Sequence, residues 1–498
     1  MKAKIHVLSS ETVGQSNCGL YGMMIENCGR CVYDGLWVGP ESATPNRNGI
    51  RSDVLTLLES FRPTIIRWPG GTPSETYHWR DGVGPREKRP ESLLSGTCFN
   101  SPGESNAFGT DEYLWLCDRL GSKPYVCVNV STGSAEEAAN WVEYCNRSGK
   151  TTFAKMRAEN GRVKPYGVQF WGLGNESYFW YDDPADYAQR IKHYVKTMKL
   201  VDPRIRTVAA GWRFRAEWNR SLLELAARYI DFISVHFYYG MRSGRPNPVV
   251  DTDELRTELL RLTTYEDLVA GPYHAEQSIR ELVDLIQSIP RGDQVRIAMD
   301  EWTVWHEEAT AENGGCQNCT LQDGIFAAGM LHMMYRMNPW VEVSVLSNMV
   351  NSTCAVVTEG DRVCASPVYH VLQVYSNHAQ PTIVRSRVEV DSYPALGVEG
   401  VPYLDCLATT DRSTGLTSLA VINRHRSDDI ESQIAVDGLS TPMDAKVCEI
   451  NALSVIAVND FEQPNRIRPD PRSFRVIRDR FTYTFPAHSV TVIDLQLA

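Results

Sequence analysis

Apolar and polar positions along this chain follow two rhythms. Short, mostly apolar runs recur at Tyr21–Glu26, Thr64–Gly70, Pro124–Val130, Val168–Glu176, Arg206–Gly211, Phe232–Tyr238, Val295–Glu301 and Val341–Val350. Each reads as a buried strand bounded by turn-forming residues. Between them, apolar residues return every three or four positions: Asp53–Phe61, Asp111–Leu120, Ala135–Asn146, Pro184–Leu200, Ser221–Tyr229, Ser278–Ser288 and Phe326–Met337. That is the period of a helix with one buried face. Strand and helix in alternation, with eight strands, predict a closed parallel (β/α)8 barrel over residues 16–375.

From about Tyr375 the helical period stops. Alternating runs appear instead at Thr382–Val390, Leu404–Thr410, Ser418–Arg424, Ser432–Val436, Lys446–Glu449, Thr482–Phe485 and Ser489–Gln496. Polar turns and prolines separate them, which predicts a C-terminal antiparallel β-sandwich, jelly-roll-like in outline. Lys2–Leu8 alternates in the same way and is expected to join it, so that residues 1–15 and 376–498 make one domain. Arg242–Tyr273 and Glu307–Gln322 carry no clear pattern and are expected to run over the open face of the barrel.

In a barrel of this kind the polar residues at the carboxyl ends of the strands converge. Here they are Glu26, Arg67 with Gly70 and Gly71, Asn129, Asn175 with Glu176, His236 with Tyr238, Glu301, and Asn348 with Asn351. Two of these strand ends share an unusual setting. VQFWGLGNESYFW (Val168–Trp180) closes on Glu176 with four aromatics just beyond it, and VRIAMDEWTVWH (Val295–His306) closes on Asp300 and Glu301 beside Trp302 and Trp305. Two strand-end carboxyls in aromatic walls suit glycoside hydrolysis: one protonates the leaving oxygen, and the other attacks or stabilises the anomeric carbon. The plainer reading of each acid is a helix cap or a salt-bridge partner, and the pairing speaks against it. Arg67 is read first as a buried ion-pair partner that supports a catalytic carboxylate. His236 divides between a hydrogen-bonded core histidine and a functional one.

Composition narrows the class. The 498 residues carry 50 basic and 61 acidic side chains, a net charge of −11, which speaks against a nucleic-acid or anionic-membrane partner. No apolar run is long enough for a membrane span, and MKAKIHVLSS does not read as a signal peptide. The thirteen cysteines are scattered, and several lie in apolar strands or helices (Cys117, Cys127, Cys145), as buried free thiols of a reducing compartment do. Cys316 and Cys319 have the spacing of a metal or redox pair, but no second pair completes a four-ligand site. Unbonded loop cysteines are the first expectation, a local disulfide the second, and a metal the least.

Along nearly its whole length the chain resembles glycoside hydrolase family 51, the α-L-arabinofuranosidases. The resemblance is carried by YGMMIENCGRCVYDGLW (Tyr21–Trp37), IIRWPGGTPSETYHWRDGVGPREKRP (Ile65–Pro90), WGLGNE (Trp171–Glu176), SVHFYYG (Ser234–Gly240) and DEWTVW (Asp300–Trp305). It implies a retaining double displacement on terminal arabinofuranosyl residues of arabinan, arabinoxylan or their oligosaccharides, without a cofactor or a catalytic metal. Glu176 would be the general acid/base and Glu301 the nucleophile. Asn175 would bind the sugar 2-hydroxyl and Glu26 further sugar hydroxyls, with His236 near the acid/base and Tyr238 near the nucleophile. It also implies a cytoplasmic homo-oligomer, a hexamer or trimer of dimers. Two positions depart from the family pattern: Thr72 stands where cysteine or asparagine is usual, and Asn348 where glutamine is usual. Both would line the sugar pocket. The alternatives are a retaining glycosidase of the same fold acting on another substrate (an endoglucanase, xylosidase or galactofuranosidase), a noncatalytic carbohydrate-binding protein, and a metal-dependent enzyme using Cys316 and Cys319.

Overall fold

The computed structural model describes residues 1–16, 19–94, 103–213, 215–241, 259–353 and 355–498. Eight parallel strands form the barrel: Gly22–Met24, Ile65–Trp68, Lys123–Val128, Phe170–Leu173, Arg206–Ala210, Phe232–Met241, Arg296–His306 and Val341–Leu346. Each pairs with the next in sequence, and Val341–Leu346 closes onto Gly22–Met24. Every one lies on a run expected to be a strand.

The lumen is filled rather than open. Met24, Ile65, Tyr125, Cys127, Phe170, Val208, Phe232, Ala298, Val343 and Val345 pack together inside it, which is the behaviour of a small barrel. At its amino-terminal end the Arg206 guanidinium lies 4.3 Å from the Phe232 ring and pairs with Glu342. At the opposite end buried polar side chains, among them Glu26, Arg67, Asn175 and Glu301, replace the apolar plug.

The helical layer departs from expectation at specific points. The helix expected at Ser278–Ser288 begins at Tyr265 and runs 24 residues to Ser288 with Pro272 inside it. A proline normally argues against a helix interior, and it hid the first half of this one. A further strand, Leu259–Leu262, pairs in parallel with the upper part of Phe232–Met241. The rest of that expected excursion, residues 242–258, lies outside the described residues. Helices Thr152–Glu159 and Pro367–His378 were not anticipated. The loop after the seventh strand does run over the barrel, and it is tied back: Gln317 Nε2 donates to the Val304 carbonyl at 2.8 Å, and its Oε1 accepts from the His306 N–H at 2.9 Å.

The second unit is a nine-stranded sheet whose strands share one apolar core, from Ile5 and Val7 through Leu419 and Val421 to Phe485 and Ile493. The strand Lys2–Gln15 pairs antiparallel with Thr382–Glu389 and parallel with Ile430–Val436. Asp470–Val476 is an added edge strand, exposed along most of its length and without the alternation that marks the others. The architecture is a (β/α)8 barrel with a β-sandwich that takes in the N-terminal strand.

Cys31, Cys117, Cys127, Cys145, Cys364, Cys406 and Cys448 are buried thiols. Cys117, Cys127 and Cys145 are thus free as expected, whereas Cys28, on which no expectation was placed, is disulfide-bonded. Cys316 and Cys319 are not joined by a disulfide. No helix among the described residues is long and apolar enough to cross a membrane.

Candidate active site

Two local backbone features place the carboxyls. The fourth strand ends at Leu173, and Gly174 then turns at φ +81°, so that Glu176 falls in the left-handed region at φ 45° and ψ 42°. On the seventh strand the register slips between Ala298 and Glu301 relative to the sixth: Ala298 faces Ser234, but Glu301 faces His236. Three residues on one strand span two on the other, which is a β-bulge. Without it, adjacent residues would point to opposite faces. With it, Asp300 and Glu301 both join the polar cluster.

The cluster is one hydrogen-bonded network. Arg67, 1% exposed, donates to Glu301 Oε1 at 2.6 Å and to Asn175 Oδ1 at 2.6 Å, and its Nε lies 3.5 Å from Asp300 Oδ2. The Tyr238 hydroxyl donates to Glu301 Oε2 and lies 2.9 Å from Ser347 Oγ. His236 Nδ1 donates to Glu176 Oε1 at 2.9 Å and lies 3.6 Å from Glu301 Oε2. The Tyr178 hydroxyl reaches Glu176 at 3.2 Å. Asp300 accepts from Tyr125 at 2.6 Å and from Ser234.

Glu26 sits on the other side of Glu301. Its Oε1 accepts from Asn348 Nδ2 at 2.8 Å and its Oε2 from the Gly71 N–H at 3.0 Å. A side chain at position 71 would put Cβ 2.7 Å from Glu26 Oε2 and 3.2 Å from Glu301 Oε1, so glycine there keeps the approach between the two acids open.

Charge is unevenly held. Burial works against the charged form of His236, but the Glu301, Asp300 and Glu176 carboxyls outweigh it and keep the imidazole protonated well above its ordinary range. Burial also disfavours the ionised form of Asp300, yet Arg67, His236 and Ser234 hold it well below the usual carboxylate range. Burial and the neighbouring Glu301 push the Tyr238 phenol far up, so it stays a donor. Glu26 moves the other way from Asp300. Burial, then Glu301, raise it from 4.5 to about 7, against the pull of Asn348, Arg67 and Gly71.

That shift has a measurable consequence. Folding raises the Glu26 pKa, so between about pH 4.5 and 7 the native chain holds a proton that the unfolded chain has released. This contribution to stability is complete below the unfolded value and is lost as pH rises through the folded one. Glu26→Gln keeps the shape and removes the charge. The variant is expected to melt close to the parent at pH 4.5 and above it at pH 8, by up to about 3 kcal/mol. Thermal melts of both proteins across that range check it, and an offset that does not change with pH contradicts it.

Of the residues expected from the sequence, Glu26, Arg67, Asn175, Glu176, His236, Tyr238, Glu301 and Asn348 all lie in this network. Thr72 does not: it is exposed and opens the short turn Thr72–Glu75. Asn129 and Asn351 also serve elsewhere. Asn129 Oδ1 caps the Thr132 and Gly133 N–H groups, and Asn351 binds Thr358 and the Arg30 carbonyl. Ser234, Tyr125 and Ser347 were missed. For Ser234 the signal was present, since Ser234, His236 and Tyr238 alternate along one strand and so share a face.

Glu176, His236 and Glu301 each bring a donor atom within 4.8 Å of the others. The hydrogen bond between His236 Nδ1 and Glu176 Oε1 also suits the trio to handling a proton. The side chain of Glu176 is 17% exposed and that of Glu301 5%. The first can meet a leaving group and water, while the second is held inside.

Comparison with known proteins agrees with this geometry. Residues 57–252 match a family model described as "Alpha-L-arabinofuranosidase 1 domain", and residues 300–489 match "Alpha-L-arabinofuranosidase C-terminal domain". A probable α-L-arabinofuranosidase C of Aspergillus niger is 31% identical over 99% of this chain and 97% of its own length. An intracellular exo-α-L-arabinofuranosidase of Bacteroides ovatus is 27% identical over 96% of this chain and 92% of its own. The thermostable family 51 α-L-arabinofuranosidase of Thermotoga petrophila superposes with a TM-score of 0.90 at 32% identity, covering 99% of this chain and all of that one. This chain belongs to glycoside hydrolase family 51, the α-L-arabinofuranosidases.

Proposed function

We propose that the enzyme removes terminal, non-reducing α-L-arabinofuranosyl residues from arabinan, arabinoxylan or their oligosaccharides with retention of configuration. Glu176 is the general acid/base and Glu301 the nucleophile. The observation that carries the reading is the separation of the two acids: an oxygen of each lies within 4.8 Å of the other. Retaining glycosidases hold their carboxyls about 5–5.5 Å apart, whereas inverting ones need about 6.5–9.5 Å to admit a water.

The steps follow from who donates to whom. Glu301 receives hydrogen bonds from Arg67 and Tyr238 and brings an oxygen to the anomeric carbon. Glu176 gives its proton to the departing glycosidic oxygen, and an arabinosyl ester forms on Glu301. Glu176, now without its proton, takes one from an incoming water, which attacks the same carbon from the face the leaving group vacated. Two inversions give net retention. Asn175 is turned by Arg67 through its Oδ1, which leaves its amide N–H groups for the sugar. Glu26 and Asn348 form an acceptor-and-amide edge for the remaining hydroxyls.

The name of the Bacteroides ovatus relative supports an exo-acting, intracellular enzyme. The family resemblance extends that reading to a cytoplasmic homo-oligomer. The test is the product profile on arabino-oligosaccharides and arabinoxylan fragments, followed by proton NMR from the first turnover. Single arabinose units are expected, and the α anomer should appear first. Internal cleavage products would remove the exo assignment, and a β anomer appearing first would remove retention.

A further inference from the structure

One fully buried carboxyl near the site takes no part in these steps. Glu75 is 0% exposed and ends the turn Thr72–Glu75 that follows the second barrel strand. Its Oε1 accepts from the Asn175 backbone N–H at 2.8 Å and from the Ser177 hydroxyl at 2.8 Å. Its Oε2 accepts from the Ser131 hydroxyl at 2.8 Å. Thr132 Oγ1 donates to its backbone carbonyl at 3.2 Å. The loops after the second, third and fourth strands therefore meet at this one side chain.

Asn175 and Ser177 are the two neighbours of Glu176. The residue between them sits at φ 45°, a region that is strained for a non-glycine residue and persists only where the surroundings fix it. The Glu75 carboxyl supplies the fixing, since it binds the main chain on one side of Glu176 and the side chain on the other. The fit is close. A Cβ added to Gly174 would lie 2.4 Å from Glu75 Oε1 and 2.5 Å from Ser177 Oγ. A buried carboxyl is costly to keep, and here its hydrogen bonds go to the strained turn.

We propose that Glu75 is a positioning residue for proton transfer: by gripping Asn175 and Ser177 it sets the left-handed backbone of Glu176 and aims that carboxyl at the glycosidic oxygen. The proposal rests on Glu176 being the acid/base. Its signature is dependence on the leaving group. A dinitrophenolate departs without a proton, whereas a plain phenolate needs one. A misaimed acid therefore slows glycosylation only of the second, while a general loosening of the fold slows both alike.

The experiment compares kcat/KM, which reports glycosylation, for 2,4-dinitrophenyl and phenyl α-L-arabinofuranosides. Parent, Glu176→Ala, Glu75→Ala, Glu75→Gln and Ser177→Ala are all measured. Glu176→Ala is the reference: it should lose roughly 10²–10⁴-fold on the phenyl substrate and little on the dinitrophenyl one. If it does not, the assignment of Glu176 fails, whatever Glu75 does. Given that reference, Glu75→Ala is expected to lose on the order of 10²-fold on the phenyl substrate and less than about threefold on the other. Glu75→Gln keeps the Oε1 acceptor and should stay within about fivefold of the parent on both substrates. Equal losses on the two substrates, or no loss on either, overturn the proposal. Should Glu75→Ala fail to fold, Ser177→Ala decides. It removes one of the two bonds to the turn, and is expected to lose roughly five- to tenfold on the phenyl substrate alone; an effect that is equal on both substrates, or absent, overturns the proposal.

Discussion

Replacing Glu301 with alanine is expected to lower kcat on an aryl α-L-arabinofuranoside by on the order of 10⁴-fold or more, with the protein still folded. The loss should be that large because the residue forms the bond that splits one difficult displacement into two easier ones. Arg67 and Tyr238 both point their donors at this carboxyl, so no other group in the network is held to take its place. Stability should suffer little. The change removes one of the buried acids that crowd Arg67 and leaves Asp300 to face it at 3.5 Å. Azide tests the assignment directly, since it is small enough to enter the space left by the side chain. It should restore turnover and give a glycosyl azide of inverted configuration. A product of retained configuration would identify the residue as the acid/base instead, and rescue by neither route would remove it from the covalent chemistry.

Replacing Arg67 with methionine should be nearly as severe for activity and far worse for stability. Its guanidinium is the one cation within reach of both Glu301 and Asp300 that cannot be deprotonated. Without it two buried carboxyls would share only His236, and such an uncompensated pair costs roughly 3–5 kcal/mol. The pH dependence separates lost charge from lost packing. In the parent, Asp300 titrates well below an unfolded aspartate, so its contribution is present above the unfolded value and survives mild acid. In the variant, burial no longer has Arg67 to oppose it, and the Asp300 carboxyl should rise above the unfolded value. Acidification from pH 8 to 5 then stabilises the variant relative to the parent. The melting gap should narrow over that range. A gap that stays constant would mean that Arg67 acts through its shape, packed against Met24 and the Tyr125 ring. Lysine should not rescue the variant, because one ammonium cannot reach Glu301, Asn175 and Asp300 together.

The barrel was legible because each strand and most helices carry their own period. The cluster of site residues was legible because barrel topology brings strand ends together whatever their separation in sequence. Other features were silent for physical reasons. The helix over Tyr265–Ser288 contains Gly271 and Pro272, which pack against Phe326 and Gly329 of the neighbouring helix, so a tertiary contact overrides the local signal. The bulge at Asp300 has no composition of its own; only the pairing with Ser234 and His236 shows it. Glu75 reads in sequence as one more acid in a polar turn. Its meaning depends on Ser131, Asn175 and Ser177, residues on two other loops.

The strand Lys2–Gln15 has a consequence for how the molecule is made. It is synthesised well before its partners: Lys4 pairs with Glu389, 385 residues later, and the parallel partner Ile430–Val436 comes later still. At roughly 5–20 residues per second this is a wait of about 20–80 s. The barrel between them can close during that time, while the strand stays outside with Ala3, Ile5 and Val7 bare on one face. Those three positions alternate with Lys2, Lys4 and His6. The lysines end in solvent on the finished sheet, and during synthesis, before the partner strands arrive, their charge would keep one nascent chain from pairing with another.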